Sequence, residues 1–487
     1  MQAAPTTTLF LLLGLAAAPA QAQTNPPNAD AIRSSLGRIL SIMTLGGISV
    51  QEQAAEVTQH GADYQVRLPL ADFSAPPDAA VTAVAHRVQN GMLHITAMTL
   101  PSAGTLETAS AGDPAGQITY SVGEQRITAK VDPSLTVPSS YEAEFGHVRL
   151  SSDQGEQHGE QSFDRYTVNG TLSGDQEGRV SMASQGSGTG FHFVGHGPNG
   201  FVSDASARAL AGHFSVEGLN RDQGTRLMTA LRGVAGSMKM PGRGPDVSAE
   251  QRAALHAMVE AADGLMSRLE VEEALEGVRF AAGAGAGTIG RVRLTAAGMT
   301  REQRLDSEIG IALDGISSSA VSAENAAFMP HHVDIKTYLR GVQVNSLMAL
   351  LHAATEPGAD PVMLQAQATA LLADPHAHVG IETLVFDCGP LRIKGSASVV
   401  PHSIANGGAN GREGPLGAEL HIAARGLDAF LAQAQSQPNL KGIMPMLFMA
   451  KGMGRAQDES IVWDISLGDG PIRINGVPFG QPADNTR

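Results

Sequence analysis

Cysteines, lysines and aromatic residues are scarce in this sequence, and each shortage excludes a class of structure or partner. Cys388 is the only cysteine among 487 residues, so no disulfide bond can form within the chain. It ends a strand-like run, and we interpret it as a packed small residue rather than a nucleophile. Six lysines and a net charge of −15 argue against charge-driven binding to nucleic acid or to an anionic lipid surface. With 4% aromatic residues, a core must be built mainly from alanine and from aliphatic and methionine side chains.

Long hydrophobic runs are also few, and the clearest one lies at the amino terminus. The apolar run Leu9–Ala18 is followed by Ala20-Gln21-Ala22, a small-x-small pattern typical of a signal-peptidase site. The run is too short to cross a bilayer, which takes about twenty residues. No basic residue precedes it, which departs from the usual signal pattern. We expect a signal peptide over residues 1–22, cleavage near Ala22, a periplasmic or extracellular location and no stable transmembrane segment afterwards.

Gly285-x-Gly287-x-x-Gly290 has the spelling of a dinucleotide-binding fingerprint, but its surroundings are wrong for one. The fingerprint needs a strand before the glycines and a helix after them, because the pyrophosphate lies at the amino terminus of that helix. Here Arg291–Thr295 follows, and its alternating apolar and polar residues predict a strand. We interpret the glycines as a turn between two antiparallel strands, and we expect no nucleotide and no other cofactor.

Residues 23–235 are predicted to form a short helix followed by a region rich in β-strand. Residues 28–45 begin with Asn and Asp and place apolar residues at helical spacing. From about residue 48 to residue 216, apolar residues recur at every second position between frequent turns, as in antiparallel sheet. Residues 121–125 and 168–172 contain the Gly and Asn that favour turns.

Residues 236–487 are predicted to combine strands with helices. A weak repeat, whose first copy lies just before this region, has a short strand, a glycine, an Asx-type N-cap and an apolar helix, at 214–234, 333–351 and 420–431. Ser248-Ala-Glu-Gln251 is a capping box, and the apolar stripe after it predicts a long helix near residues 248–270. Together the patterns predict an α+β fold, an extended, curled, mainly antiparallel β-sheet with short amphipathic helices packed on one face.

The carboxyl-terminal segment predicts a hairpin of Ile461–Leu467 with Ile472–Ile474, followed by Asn475-Gly-Val-Pro478. This ending and the repeated strand, glycine and helix resemble exported bacterial proteins of unknown function that are loosely similar to AsmA-like envelope proteins. The resemblance covers the second half of the chain. It implies a curled sheet with helices packed on it and a role in the envelope, in handling lipid. AsmA-like proteins usually keep an amino-terminal membrane anchor, which we do not expect here.

Residues that could carry chemistry occur without the partners that a site needs. Zinc takes three or four protein ligands, whereas the histidines form only pairs, at His192/His196, His331/His332 and His376/His378. Ser187 lies in Gly-Ser-Gly-Thr-Gly, which is not the nucleophile elbow. The acidic residues crowded between Glu270 and Glu276 are interpreted as a solvated face at the end of the long helix. We therefore predict no catalytic site, no metal and no enzyme.

One apolar segment is unusual because it gathers flexible methionines. Residues 442–450 contain Met444, Met446, Leu447, Phe448 and Met449, and thioether side chains line adaptable binding surfaces as well as ordinary cores. Our leading hypothesis is a non-enzymatic envelope protein that binds an apolar ligand or lipid, or a partner's helix, in a groove lined by this segment. Two alternatives stay open, a structural or protein-interaction component of the periplasm and a hydrolase whose site is assembled from distant residues.

Overall fold

A computed structural model describes most of the chain between residues 56 and 479. The described ranges are 56–69, 80–88, 93–108, 116–132, 137–154, 157–174, 179–196, 202–220, 223, 226, 230, 249–262, 264–282, 285–322, 325–356, 358–401, 416–437, 440–468 and 471–479. The predicted signal peptide and the predicted helix at 28–45 lie outside them. The chain divides into two compact units, one ending at Ala284 and one beginning at Gly285. The predicted boundary between residues 235 and 236 lies outside the described residues.

The first unit is an antiparallel sheet of twelve strands, β1 to β12. Their bounds are Glu56–His60, Asp63–Pro69, Ala80–Arg87, Leu93–Thr99, Ala103–Thr108, Gly116–Ser121, Glu124–Asp132, Val137–Gln154, Gln157–Gly174, Arg179–His196, Val202–Asn220 and Arg268–Ala282. Pairing runs β1–β2–β3–β4–β7–β8–β9–β10–β11–β12. The far half of β8 pairs with β6, which pairs with β5.

Apolar side chains on one face of these strands form the core of the first unit, because alternate residues of a strand point the same way. Ile95, Val81 and Val168 are at most 1% exposed. The Tyr141 hydroxyl donates to Ser184 Oγ within this core, at 3.1 Å, so a buried polar pair is satisfied. The predicted turn at 168–172 is wrong, since these residues lie inside β9. Gly170 lies directly opposite Tyr141, and a Cβ there would be 2.7 Å from its ring, so this glycine makes room for an aromatic side chain.

Helix α1 of the first unit spans Ala249–Ala262. It is shorter than the predicted helix at 248–270. Gly264 has φ +61°, a conformation typical of the residue that follows a helix end, and Leu265 then packs into the sheet core. The acidic residues between Glu270 and Glu276 therefore lie on β12, and their interpretation as a helix face is wrong.

The second unit is a sheet of eleven strands, β13 to β23. Their bounds are Gly285–Arg301, Arg304–Asp314, Ser317–Ser318, His332–Gln343, His378–Cys388, Leu391–Pro401, Leu416–Arg425, Arg455–Gln457, Ser460–Leu467, Arg473–Ile474 and Val477–Pro478. Antiparallel pairing runs β13–β14–β16–β17–β18–β19–β21–β22–β23. Strand β15 pairs with β13, and β20 pairs with β21.

The glycines Gly285–Gly290 belong to β13, so the predicted turn at this position is wrong. The strand after them was predicted correctly, and it pairs antiparallel with β14. The sequence therefore runs from the glycines into strand and not into the helix that a dinucleotide site needs.

Four α-helices are described in the second unit, and two of them match the predicted repeat. Their bounds are Val344–Thr355 (α2), Pro361–Leu372 (α3), Leu427–Gln435 (α4) and Met444–Met453 (α5). Gly341, near the end of β16, and Gly426, between β19 and α4, have φ +68° and +73°, values that favour glycine. The predicted Asx-type N-caps are wrong here, because Gln343 and Gly426 occupy those positions without a side-chain capping bond.

The first repeat copy is described only in part. Its strand belongs to β11, and the three described residues of its helix, Gln223, Arg226 and Ala230, are helical. The α+β class and the dominance of antiparallel sheet are confirmed. Within the ranges given above, no helix combines the length and the hydropathy that a bilayer crossing needs.

Candidate functional site

The sheet of the second unit has one face made almost entirely of apolar side chains. The register places Leu294, Ile311, Ile335, Leu384 and Ile422 in one row across neighbouring strands, interrupted by Gly395. A Cβ at Gly395 would touch Leu384 and Ile422 at 3.4 and 3.7 Å, so their side chains meet over this glycine. We call this surface the apolar face; it also includes Val292, Ile309, Leu313, Val333, Ile381, Phe386, Ile393, Ala397, Leu420, Ala424, Ile461, Trp463 and Ile465.

The opposite face of the same strands is polar and ionic. Lys336 Nζ lies 2.7 and 2.8 Å from carboxylate oxygens of Glu308 and Glu382, and Arg340 Nη2 lies 2.7 Å from each of these carboxylates. Hydrogen bonds from Lys336 and Arg340 lower the pKa of both glutamates, and the same bonds raise the pKa of Lys336. The guanidinium of Arg340 also lies 4.6 Å from the centre of the Tyr338 ring. The sheet is therefore amphipathic, and these four charges on its polar face are paired with one another.

Helices α4 and α5 cover one end of the apolar face. Leu431 and Ala434 of α4 are 2% and 0% exposed, and they pack in one cluster with Ala424, Leu391 and neighbouring side chains. Trp463 of β21 packs against this cluster and donates from Nε1 to the Ala450 carbonyl of α5 at 2.7 Å. This end of the face is an ordinary hydrophobic core.

The other end of the apolar face is open. Ile309, Leu294 and Ile311 are 61%, 42% and 37% exposed. Such neighbouring aliphatic residues on adjacent strands form a contiguous apolar surface, which typically marks a site for a ligand, a partner or a membrane. The exposed surface adjoins the covered end through Ile335, Leu384 and Ile422, which are intermediate in exposure.

The predicted methionine segment forms α5, and the structure divides its residues between core and surface. Met444 is buried and Leu447 packs against the same cluster. Met446, Phe448 and Met449 are 65%, 44% and 53% exposed. Met446 and Met449 lie on the side of the helix that faces away from the cluster, whereas Phe448, four residues after Met444, lies beside the buried side. The segment therefore contributes Met444 and Leu447 to the hydrophobic core and its other three apolar side chains to the surface.

A row of Ser396, His421 and Asp464 lies on the polar face, beside a groove of about 650 Å³ that Tyr338 and Arg340 also line. His421 Nδ1 lies 2.7 Å from Asp464 Oδ1, as in a catalytic triad. The two side chains are, however, 55% and 48% exposed, and a catalytic histidine works best where water is excluded. We interpret the row as cross-strand pairing on a solvated face, because the same pairing recurs at His86–Asp63, His158–Asp153, His192–Asp204 and His332–Asp314.

The histidine pairs singled out in the sequence do not come together. His192 and His332 are each paired with an aspartate, and His376 lies before β17 while His378 begins it. In the part of the chain that the structure describes, no group of three or more His, Cys, Asp or Glu side chains could hold a metal ion. Cys388 is partly buried at the end of β17, and this burial raises the pKa of its thiol, which disfavours the reactive thiolate.

The Asn-Gly of the carboxyl-terminal segment has a structural role, because it is hydrogen-bonded to both a helix and a strand. Asn475 and Gly476 form the two-residue turn between β22 and β23, both with positive φ, as a type I′ turn requires. Asn475 Nδ2 donates to the carbonyls of Met453 and Val462 at 2.8 and 3.3 Å, and its Oδ1 accepts from the Asp464 amide at 2.9 Å. The turn thus ties the end of α5 to strand β21.

Comparison of the chain with protein-family models, with curated proteins and with solved structures finds no match to any of them.

Proposed function

We propose that this chain is an exported, non-enzymatic envelope protein that binds an apolar ligand, the acyl chain of a lipid, on the apolar face of its second unit. The observation that supports this function is the open end of that face, where Ile309, Leu294 and Ile311 are exposed on adjacent strands. Leaving these side chains in water costs about 25 cal/mol for each Å² of apolar surface. A bound hydrocarbon chain removes that cost without needing a polar partner.

The size of the surface fits a chain-like ligand. Neighbouring strands lie about 4.8 Å apart, so the row from Leu294 to Ile422 extends over roughly 24 Å, comparable to a long acyl chain. On the opposite face, Lys336 and Arg340 are paired with Glu308 and Glu382, so these four charges already have partners. The apolar face is the surface on which a lipid gains most.

We expect radiolabelled stearic acid to bind the protein in a saturable way. Equilibrium dialysis measures this binding and needs no reporter group near the open end of the face. Unlabelled stearic acid should compete for the same site. The double variant Leu294→Ser and Ile309→Ser should weaken binding by about tenfold or more, because two apolar contacts are lost.

The matched control is Val202→Ser in the first unit, since Val202 and Leu294 are both 42% exposed. This variant should bind the fatty acid as the unaltered protein does. If no saturable binding is seen, or if the control weakens binding as much as the double variant, the lipid function is excluded. The structural or protein-interaction role would then be the better account.

Export is tested separately from ligand binding. We expect the protein recovered from the periplasmic or secreted fraction to begin at Gln23, because the small-x-small pattern places cleavage after Ala22. Amino-terminal sequencing or intact mass measures this directly. Replacing Ala20 and Ala22 by bulky residues should leave the precursor uncleaved, whereas a mature protein that still begins at Met1 would contradict the signal.

A further inference from the structure

The groove on the polar face of the second unit has a volume of about 650 Å³, which is typical of a ligand site. Its floor contains two neighbouring rows of polar side chains that cross β18, β19 and β21. The rows are Ser396, His421 and Asp464, and Ser398, Glu419 and Ser466. Adjacent strands lie about 4.8 Å apart, so the floor from β16 to β21 spans roughly 19 Å. We call this region the polar groove.

The ends of the polar groove are lined by Tyr338 of β16 and by Gly476 of the turn between β22 and β23. In the register, Gly380 lies between Tyr338 and Ser398. A Cβ at Gly380 would lie 2.9 Å from the Tyr338 hydroxyl oxygen. The glycine therefore lets the phenol lie over strand β17, with its hydroxyl beside the row that contains Ser398 and Glu419.

The polar groove presents hydrogen-bond donors and acceptors close together. The serine and tyrosine hydroxyls can each donate and accept, and the Glu419 carboxylate accepts. His421 Nδ1 donates to Asp464 Oδ1 at 2.7 Å, so Nε2 of the neutral ring is an acceptor. A complementary ligand has many groups that both donate and accept at short intervals. The hydroxyls of a sugar have this property.

The charges of the polar groove favour a neutral ligand over an ion. Arg340 pairs with Glu382, and Arg455 Nη2 lies 3.3 Å from Asp464 Oδ2. These two carboxylates therefore already have cationic partners. Glu419 is exposed and adds a negative charge that disfavours anions. The cross-strand pairs also hold side chains in position before a ligand arrives, which reduces the entropy cost of binding.

We propose that the polar groove binds a neutral oligosaccharide, through hydrogen bonds to its hydroxyl groups from Glu419, His421 and the serines beside them. The exposure of His421 and Asp464, which disfavours catalysis, leaves them within reach of such a ligand. The groove is on the opposite side of the sheet from the apolar face, and this proposal does not rest on the proposed function.

Calorimetric titration with two glucose oligomers tests the proposal. Cellohexaose is an extended probe and maltohexaose a curved one, and at least one of them should bind in a saturable way. His421→Ala and Glu419→Ala should each weaken that binding by about tenfold, because a hydrogen bond to a charged or strongly polar group is lost. Glu419→Gln keeps one acceptor oxygen and should weaken binding less than Glu419→Ala.

The matched control is His86→Ala in the first unit, since His86 pairs with Asp63 and both are about as exposed as His421 and Asp464. This variant should bind the oligosaccharide as the unaltered protein does. Binding of neither oligomer, or equal losses in His86→Ala and His421→Ala, overturns the proposal. So does tighter binding of an oligogalacturonate, which is anionic. The His421→Ala variant should still bind stearic acid in equilibrium dialysis, and that assay decides the proposed function independently.

Discussion

The variant Gly426→Ala is expected to lower the free energy of unfolding of the second unit by about 3 kcal/mol, because two costs add. Gly426 has φ +73°, and a Cβ at this position would lie 2.0 Å from the Pro390 carbonyl oxygen. The left-handed conformation costs a residue with a side chain about 1 kcal/mol. Relieving a clash with backbone costs typically 1–3 kcal/mol, since the chain must shift. The shift would displace the first turn of α4, which packs on the apolar face.

Denaturant unfolding followed by Trp463 fluorescence measures this effect, because Trp463 packs against the cluster that contains α4. The matched control is Gly476→Ala, which has φ +80° but no atom within 4 Å of the added Cβ. It should cost only about 1 kcal/mol, the conformational part. Similar losses of stability in the two variants would show that the close approach of Pro390 is not what requires glycine at position 426.

The sheet was predictable because its faces differ so strongly. Apolar and polar residues alternate in residues 291–295, as in a strand with one solvent-exposed face. The structure accordingly places Val292 and Leu294 on the apolar face. The pairing partners were not predictable, since alternation fixes which residues share a face but not which strand lies next to which. The row from Leu294 to Ile422 joins residues more than a hundred positions apart, and only the fold brings them together.

The helix prediction failed where apolar residues satisfy two patterns at once. Leu265 and Leu269 fit the helical stripe that begins near Ala254, and they equally fit the turn and strand that the chain forms. Gly264 ends the helix, but a single glycine inside an apolar stripe is a weak signal. Packing of Leu265 into the core of the first unit decided the outcome. Tertiary burial therefore overrode local propensity at this point.

The methionine segment could likewise be predicted only in part from the sequence. Composition identified the segment. Which of its methionines is buried, Met444, and which is exposed, Met446, depends on the side of α5 that packs against the sheet.

Asn475→Ala is expected to cost about 3 kcal/mol of stability in the second unit, because three hydrogen bonds and a favourable backbone conformation are lost together. Each net hydrogen bond is worth about 1 kcal/mol, and an unpaired buried partner costs more. The Met453 carbonyl belongs to the last turn of α5, whose carbonyls have no partner within the helix. The same measurement of Trp463 fluorescence applies, since Trp463 bonds to Ala450 in that helix.

Two further substitutions separate the contributions of the side chain and the backbone at this position. Asn475→Gly keeps the positive φ of 51° at little cost and loses only the hydrogen bonds, so it should fall between the alanine variant and the unaltered protein. Asn475→Asp keeps the acceptor for the Asp464 amide but turns a carboxylate toward the carbonyls of Met453 and Val462, and it should be about as unstable as the alanine variant. An aspartate variant as stable as the original would show that the turn, and not the donated hydrogen bonds, fastens α5 to the sheet.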